Sequence, residues 1–191
     1  YNDKGNTKYL KLLKQNYSSS QDVIREIINL SAIINLPKGT EFFLSDIHGE
    51  YEAFLHIMNN CSGVIKEKVD LIFNDTLSDY DRQELCTLIY YPREKMAMLD
   101  EQDKIDGDWY AMTLNHLILV AKVLSSKYTR SKVRKALPQE YAYIIDELLH
   151  AQEDEDANQV RYHKQILKTI IDLEDADEFI IALSALIKRL A

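Results

Sequence analysis

The sequence predicts a mostly α chain of about ten helices, with one short buried strand at 41–46. Three observations carry that prediction. Apolar residues recur at three- and four-residue spacing through nearly the whole chain. Glycine and proline are scarce, five and three in 191 residues, which fits helices joined by short loops. Only Glu41-Phe42-Phe43-Leu44-Ser45 departs from the helical period, with an aromatic pair and a leucine entered by the turn residues Pro37-Lys38-Gly39.

In chain order, Tyr9, Leu10, Leu12, Leu13 and Tyr17 form a helical pattern over 9–17. Ser18-Ser19-Ser20 interrupts it and offers an N-cap for the next helix, 21–36. Val23, Ile24, Ile27, Ile28, Leu30 and Ile34 give that helix a wide apolar face, and Pro37 ends it. Beyond the strand, helices are predicted over 50–60 and 64–73, then from a Ser78 cap to Tyr91, with Pro92 opening another. Asp106 precedes a long apolar segment, 109–124. A short basic segment covers 128–137, Pro138 opens a helix to about His150, and two helices, 158–173 and 175–191, follow. Glu153-Asp154-Glu155-Asp156 reads as a solvated acidic connection. A lone strand would leave two rows of unpaired backbone groups, so the pattern implies partner strands outside these residues.

Composition narrows the function. Hydrophobic residues make up 46%, enough for a globular core. A net charge of -8 argues against general nucleic-acid binding. No apolar run approaches the roughly 18 residues of a membrane span, and the polar N-terminus does not read as a signal peptide. Cys61 and Cys86 read as buried thiols of a reducing compartment, and the expected location is the cytoplasm. The first residue is not methionine, and the chain stops after an apolar helical run at Leu190-Ala191, which predicts a piece of something longer.

The chemistry falls at the end of the strand. On an extended backbone Asp46 and His48 point the same way, with Ile47 opposite, and Gly49 lets the chain turn into a helix near Glu50. A carboxylate and an imidazole converging there suit a hard-to-borderline divalent cation. The plainer alternative is that Asp46 caps the following helix.

Ser45-Asp46-Ile47-His48-Gly49-Glu50-Tyr51 resembles the first signature of calcineurin-like metallophosphoesterases, in the Asp-Ile-His-Gly form of the phosphoprotein phosphatase branch. Asn35-Leu-Pro-Lys-Gly-Thr-Glu41, Tyr90-Tyr91-Pro92 and Ser125-Ser-Lys-Tyr-Thr-Arg-Ser-Lys-Val-Arg-Lys-Ala-Leu-Pro138 narrow the resemblance to class III fructose-1,6-bisphosphatases of Firmicutes-type bacteria. The resemblance implies the N-terminal fragment of an α/β metallophosphoesterase with a helical insertion. Residues 1–60 would begin the metallophosphoesterase domain, and 61–191 would be the insertion. It implies hydrolysis of fructose 1,6-bisphosphate to fructose 6-phosphate and phosphate, in gluconeogenesis, by a water activated between two divalent ions, manganese being favoured. Asp46 and His48 would be ligands of one ion. The family's later signatures, Gly-Asp-x-x-Asp-Arg-Gly and Gly-Asn-His, are absent, since Gly107-Asp108 runs on into Trp109-Tyr110. No complete catalytic set is therefore expected here, and the fragment alone is expected to be inactive. His56, His116, His150 and His163 lack ligand spacing and read as surface or packing residues.

A second feature is the basic run Lys127, Arg130, Lys132, Arg134 and Lys135, five positive charges within nine residues of an acidic chain. It can hold a substrate or effector phosphate through arginine forks, or be a solvated or internally paired helix face. The implied partners are a sugar bisphosphate and the remainder of the protein's own chain, with self-association left open and no nucleic acid or membrane. The rival functions are another dimetal phosphoesterase, acting on phosphoprotein or dinucleoside polyphosphate, and a non-enzymatic helical interaction module.

Overall fold

A computed structural model describes residues 3–35, 41–151 and 156–191. The turn read at Pro37-Lys38-Gly39 lies outside them, as does the acidic connection apart from Asp156. The described residues form eleven α-helices and two short 3-10 turns in two compact units, 1–41 and 42–191.

The first unit holds α1 (Asp3–Asn16) and α2 (Ser20–Ile34). Of the three serines, Ser19 is the cap of α2. Its hydroxyl accepts from the Asp22 N–H at 3.2 Å, and the Asp22 carboxylate accepts from the Ser19 N–H at 3.0 Å, a closed capping box. Despite its wide apolar stripe, α2 has no buried residue.

The second unit opens with a departure from the predicted fold. Residues 41–47 form no strand, and every side chain there is exposed, Phe43 at 90%. A strand needs a ladder partner for its N–H and C=O groups, and none of the described residues supplies one. The short buried strand expected at 41–46 is therefore an exposed, irregular segment. It runs into α3 (Tyr51–Asn60), whose N-cap is Glu50.

Three successive left-handed residues, Cys61, Ser62 and Gly63 (φ 50°, 51° and 90°), separate α3 from α4 (Val64–Phe73). Only the glycine adopts that conformation without a steric cost. From here the reading by periodicity and caps holds. Ser78 caps α5 (Asp79–Tyr90), Pro92 is the first residue of α6 (Pro92–Asp100), and Asp106 caps α7 (Gly107–Ser125) by accepting from the Trp109 N–H at 2.7 Å. The chain continues through α8 (Arg130–Ala136), a 3-10 turn after Pro138, α9 (Ala142–His150), α10 (Ala157–Asp172) and α11 (Ala176–Leu190).

The core is built on α7 and α11, which pack side by side, with α5, α6, α8 and α10 also against α11, and α4, α9 and α10 also against α7. Leu114, Leu117, Val120 and Ala121 of α7 and Phe179, Ile180, Leu183 and Ile187 of α11 are wholly buried. Both helices are apolar on more than one side because neighbours cover more than one side. Among the described residues no side chain before Cys61 is buried, so the whole hydrophobic core belongs to 61–191. Cys61 and Cys86 are free thiols in that core, as expected. Burial pushes both above the ordinary thiol range, so they stay protonated and are poor nucleophiles and metal ligands.

Candidate functional site

Asp46 and His48 lie on the exposed segment that leads into α3. The chain reverses there in a turn closed by the Glu50 N–H donating to the Ile47 carbonyl at 3.0 Å, and the Tyr51 N–H donates to the Gly49 carbonyl at 2.9 Å. His48 (φ 52°) and Gly49 (φ 75°) are both left-handed. His48 has thus left the extended conformation, and the two-residue alternation that was to align it with Asp46 does not extend to it. A histidine held left-handed costs on the order of 1–2 kcal/mol.

The plainer reading of Asp46, a helix cap, does not apply. The N-cap of α3 is Glu50, and no side chain caps that helix end. Asp46 and His48 are both exposed to solvent. Their donor set, one carboxylate and one imidazole, suits a divalent ion, but two donors do not close a site. Among the described residues no group of three or more His, Cys, Asp or Glu side chains is placed to hold a metal.

The remaining histidines are packing or surface residues. His56 stacks on Tyr91, with Nδ1 2.8 Å from the tyrosine hydroxyl. His116 meets Phe73 edge to face at 4.9 Å, and burial holds its pKa below the ordinary imidazole value. His163 lies beside Tyr162 at 5.6 Å between ring centres. His150 Nδ1 is 2.6 Å from the Asp146 carbonyl oxygen and 3.3 Å from Asp146 Oδ1.

Asp146 also gathers the arginines of the basic run. Arg130 Nη2 is 3.3 Å from its Oδ2, and Arg134 donates to the same oxygen through Nε at 3.1 Å and Nη2 at 2.9 Å. Lys132 sits 4.1 Å over the Tyr128 ring, and Lys127 lies 5.1 Å from the same ring while donating to the Ala191 carbonyl at 3.4 Å. Lys135 is exposed. The run is thus largely engaged within the chain, although both arginines remain more than half exposed. Asp146 was not singled out in the sequence. Its one local signal is the four-residue spacing to His150 on α9.

Two clefts among the described residues are internally neutralised. One of about 400 Å³ is lined by Lys66, Asp70, Asp79, Arg82, Cys86 and Tyr90. There Arg82 bonds Asp70 at 2.9 Å and the Leu77 carbonyl at 2.6 Å, and Lys66 bonds Asp70 at 2.6 Å. A second, of about 330 Å³, holds the Lys95–Glu84 pair at 2.5 Å. No described helix is long and apolar enough to cross a membrane.

Comparison with known proteins places this arrangement. A family model described as Firmicute fructose-1,6-bisphosphatase matches residues 8–191. The class 3 fructose-1,6-bisphosphatase of Clostridium botulinum (strain Loch Maree / Type A3) is 54% identical over 187 residues, covering 98% of this chain and 28% of the relative. That of Clostridium acetobutylicum is also 54% identical over 187 residues, with the same coverage of 98% and 28%. The chain therefore spans little more than a quarter of the length of these curated relatives. No solved structure matches it. With the match running through nearly every residue, the chain belongs to the Firmicute fructose-1,6-bisphosphatase family.

Proposed function

We propose that the chain is the N-terminal part of an enzyme that hydrolyses fructose 1,6-bisphosphate to fructose 6-phosphate and phosphate, in gluconeogenesis and in the cytoplasm. The observation that carries this reading is the family match over 8–191, a span that includes Asp46 and His48. Two divalent ions, when bound, would supply a water of lowered pKa and a clamp on the phosphate oxygens. Asp46 would give one ion a carboxylate oxygen and His48 an imidazole nitrogen, a pairing that would favour manganese or iron over magnesium. The left-handed turn at His48-Gly49 re-aims the chain between these donors and α3. The other ligands and the general acid come from the rest of the protein, so the 191 residues alone neither close the site nor turn over substrate.

We assign 1–60 to the start of the catalytic domain and 61–191 to a helical insertion. In support, the buried core begins at Cys61; against it, α3 packs with α4 and α5 in the unit that begins at Phe42. The basic run is read as structural at Arg130 and Arg134. Lys127, Lys132 and Lys135, which do not bond Asp146, are the members proposed to meet a phosphate.

Phosphate release by the full-length protein against fructose 1,6-bisphosphate, a phosphopeptide and a dinucleoside polyphosphate tests the reading. Preference for the sugar bisphosphate is the expected outcome. Preference for either other substrate keeps the chemistry and changes the enzyme. Turnover of none, with or without manganese, leaves the self-contained helical insertion as an interaction module.

A further inference from the structure

The cleft of about 330 Å³ lined by α5, α6 and α7 contains buried polar groups that the chain itself leaves without partners. Lys95 of α6 is 6% exposed, and Glu84 of α5 is its one hydrogen-bond partner among the described residues, at 2.5 Å. An ammonium carries three donors, so most of its capacity is unused in a wall of the cleft, and a buried charged donor without a partner is costly. Thr113 of α7 lines the same cleft at 4% exposed, and its hydroxyl has no hydrogen-bond partner among the described residues. Around these groups the walls are apolar. Leu85, Leu88 and Leu99 are buried, and Trp109 and Met112 are partly open to solvent.

Charge decides the kind of ligand. Lys95 and Lys104 balance Asp81 and Glu84 along the cleft, and His116 adds little because burial holds its pKa below the ordinary imidazole value. A ligand of one sign gains one member of the Lys95–Glu84 pair and is repelled by the other. An uncharged ligand leaves the Lys95 donors unpaired. A zwitterion with both charges on one carbon answers the pair in full. We propose that this cleft binds a free α-amino acid with a large apolar or aromatic side chain, its carboxylate held by Lys95 and the Thr113 hydroxyl, its ammonium by Glu84, and its side chain against Leu85, Leu88 and Trp109. The volume falls at the lower end for small-molecule sites, which suits a ligand of that size. The cleft shares no residue with the Asp46–His48 turn, so its occupancy is independent of the reaction proposed above.

Trp109 is the one tryptophan of the chain, so tryptophan emission reports on this cleft. Titration of the 191-residue chain with L-phenylalanine, followed by Trp109 emission and by equilibrium dialysis of the labelled amino acid, tests the site. Saturable binding of one equivalent with a matching change in emission is expected. Phenylpropionate, which lacks the ammonium, and phenethylamine, which lacks the carboxylate, should each bind at least about 10-fold more weakly. L-phenylalanine should lose at least about 10-fold in affinity for Lys95→Met and about 3-fold for Thr113→Val, which keeps the side-chain shape. No binding up to about 10 mM overturns the site, as does equal affinity for either single-charge analogue. Affinity unchanged in a folded Lys95→Met, or in Thr113→Val should Lys95→Met not fold, overturns it too, because the amino acid is then bound elsewhere.

Discussion

Arg134 and Asp146 tie α8 to α9 through two hydrogen bonds to one carboxylate oxygen, Nε at 3.1 Å and Nη2 at 2.9 Å. Arg130 reaches the same oxygen at 3.3 Å. Burial pulls the Asp146 carboxyl upward, but the arginine hydrogen bonds outweigh it and hold the group below the ordinary carboxylate range. A folded value that lies lower contributes stability at pH above the unfolded value, and that contribution is lost as pH falls through the folded one. Asp146→Asn should therefore cost about 1 kcal/mol at pH 7, discounted because both arginines are largely solvated, with the deficit shrinking below about pH 4. Denaturation midpoints of both proteins at pH 7 and pH 3 check it.

Lys95 is only 6% exposed and Glu84 about one third, at 2.5 Å. The two halves of this pair are not equivalent. Glu84→Gln strands a buried ammonium and should cost about 2–3 kcal/mol, whereas Lys95→Met leaves a carboxylate that can hydrate and should cost less than about 1.5 kcal/mol. Urea melts of the two variants give the order, and equal losses would contradict the asymmetry.

In the turn between α3 and α4, Ser62 holds φ 51° and Gly63 φ 90°. Ser62→Gly relieves the side-chain clash and should raise stability by about 0.5–1 kcal/mol, while Gly63→Ala should lower it by more than that. Nothing lies within 4 Å of a β-carbon built on Gly63, so any loss reports backbone conformation rather than crowding. Thermal unfolding resolves both signs.

Phe179 and Ile27 contrast the two ends of the chain. Phe179 is fully buried in α11 and Ile27 is 56% exposed in α2. In the 191-residue chain Phe179→Ala should cost about 3–5 kcal/mol. Ile27→Ala should change stability by less than about 0.5 kcal/mol.

These relationships show where the sequence was readable. The helices from Ser78 onward announce themselves because their caps and breakers are local: Ser78, Pro92 and Asp106 sit where the elements begin. The segment 41–46 misled because β-pattern is only half of a strand, the other half being a partner that no local signal can report. Asp46 and His48 were found by residue type, but the left-handed turn at His48 was hidden by the assumption of extended backbone. The Arg134–Asp146 bond joins residues twelve positions apart across the Pro138 turn, beyond the reach of periodicity. Gly63 was the sole hint of the left-handed turn at Cys61-Ser62-Gly63, and a single glycine does not specify three such residues.

The central claim is that Asp46 and His48 hold one of two divalent ions in the full-length enzyme. Its most direct test is the manganese content of the full-length protein after equilibrium dialysis, measured for the wild type and for Asp46→Asn and His48→Asn. The account predicts two ions per chain in the wild type, about one in each variant, and fructose 1,6-bisphosphate turnover reduced about 100-fold or more. Two ions in both variants, with turnover intact, would contradict it.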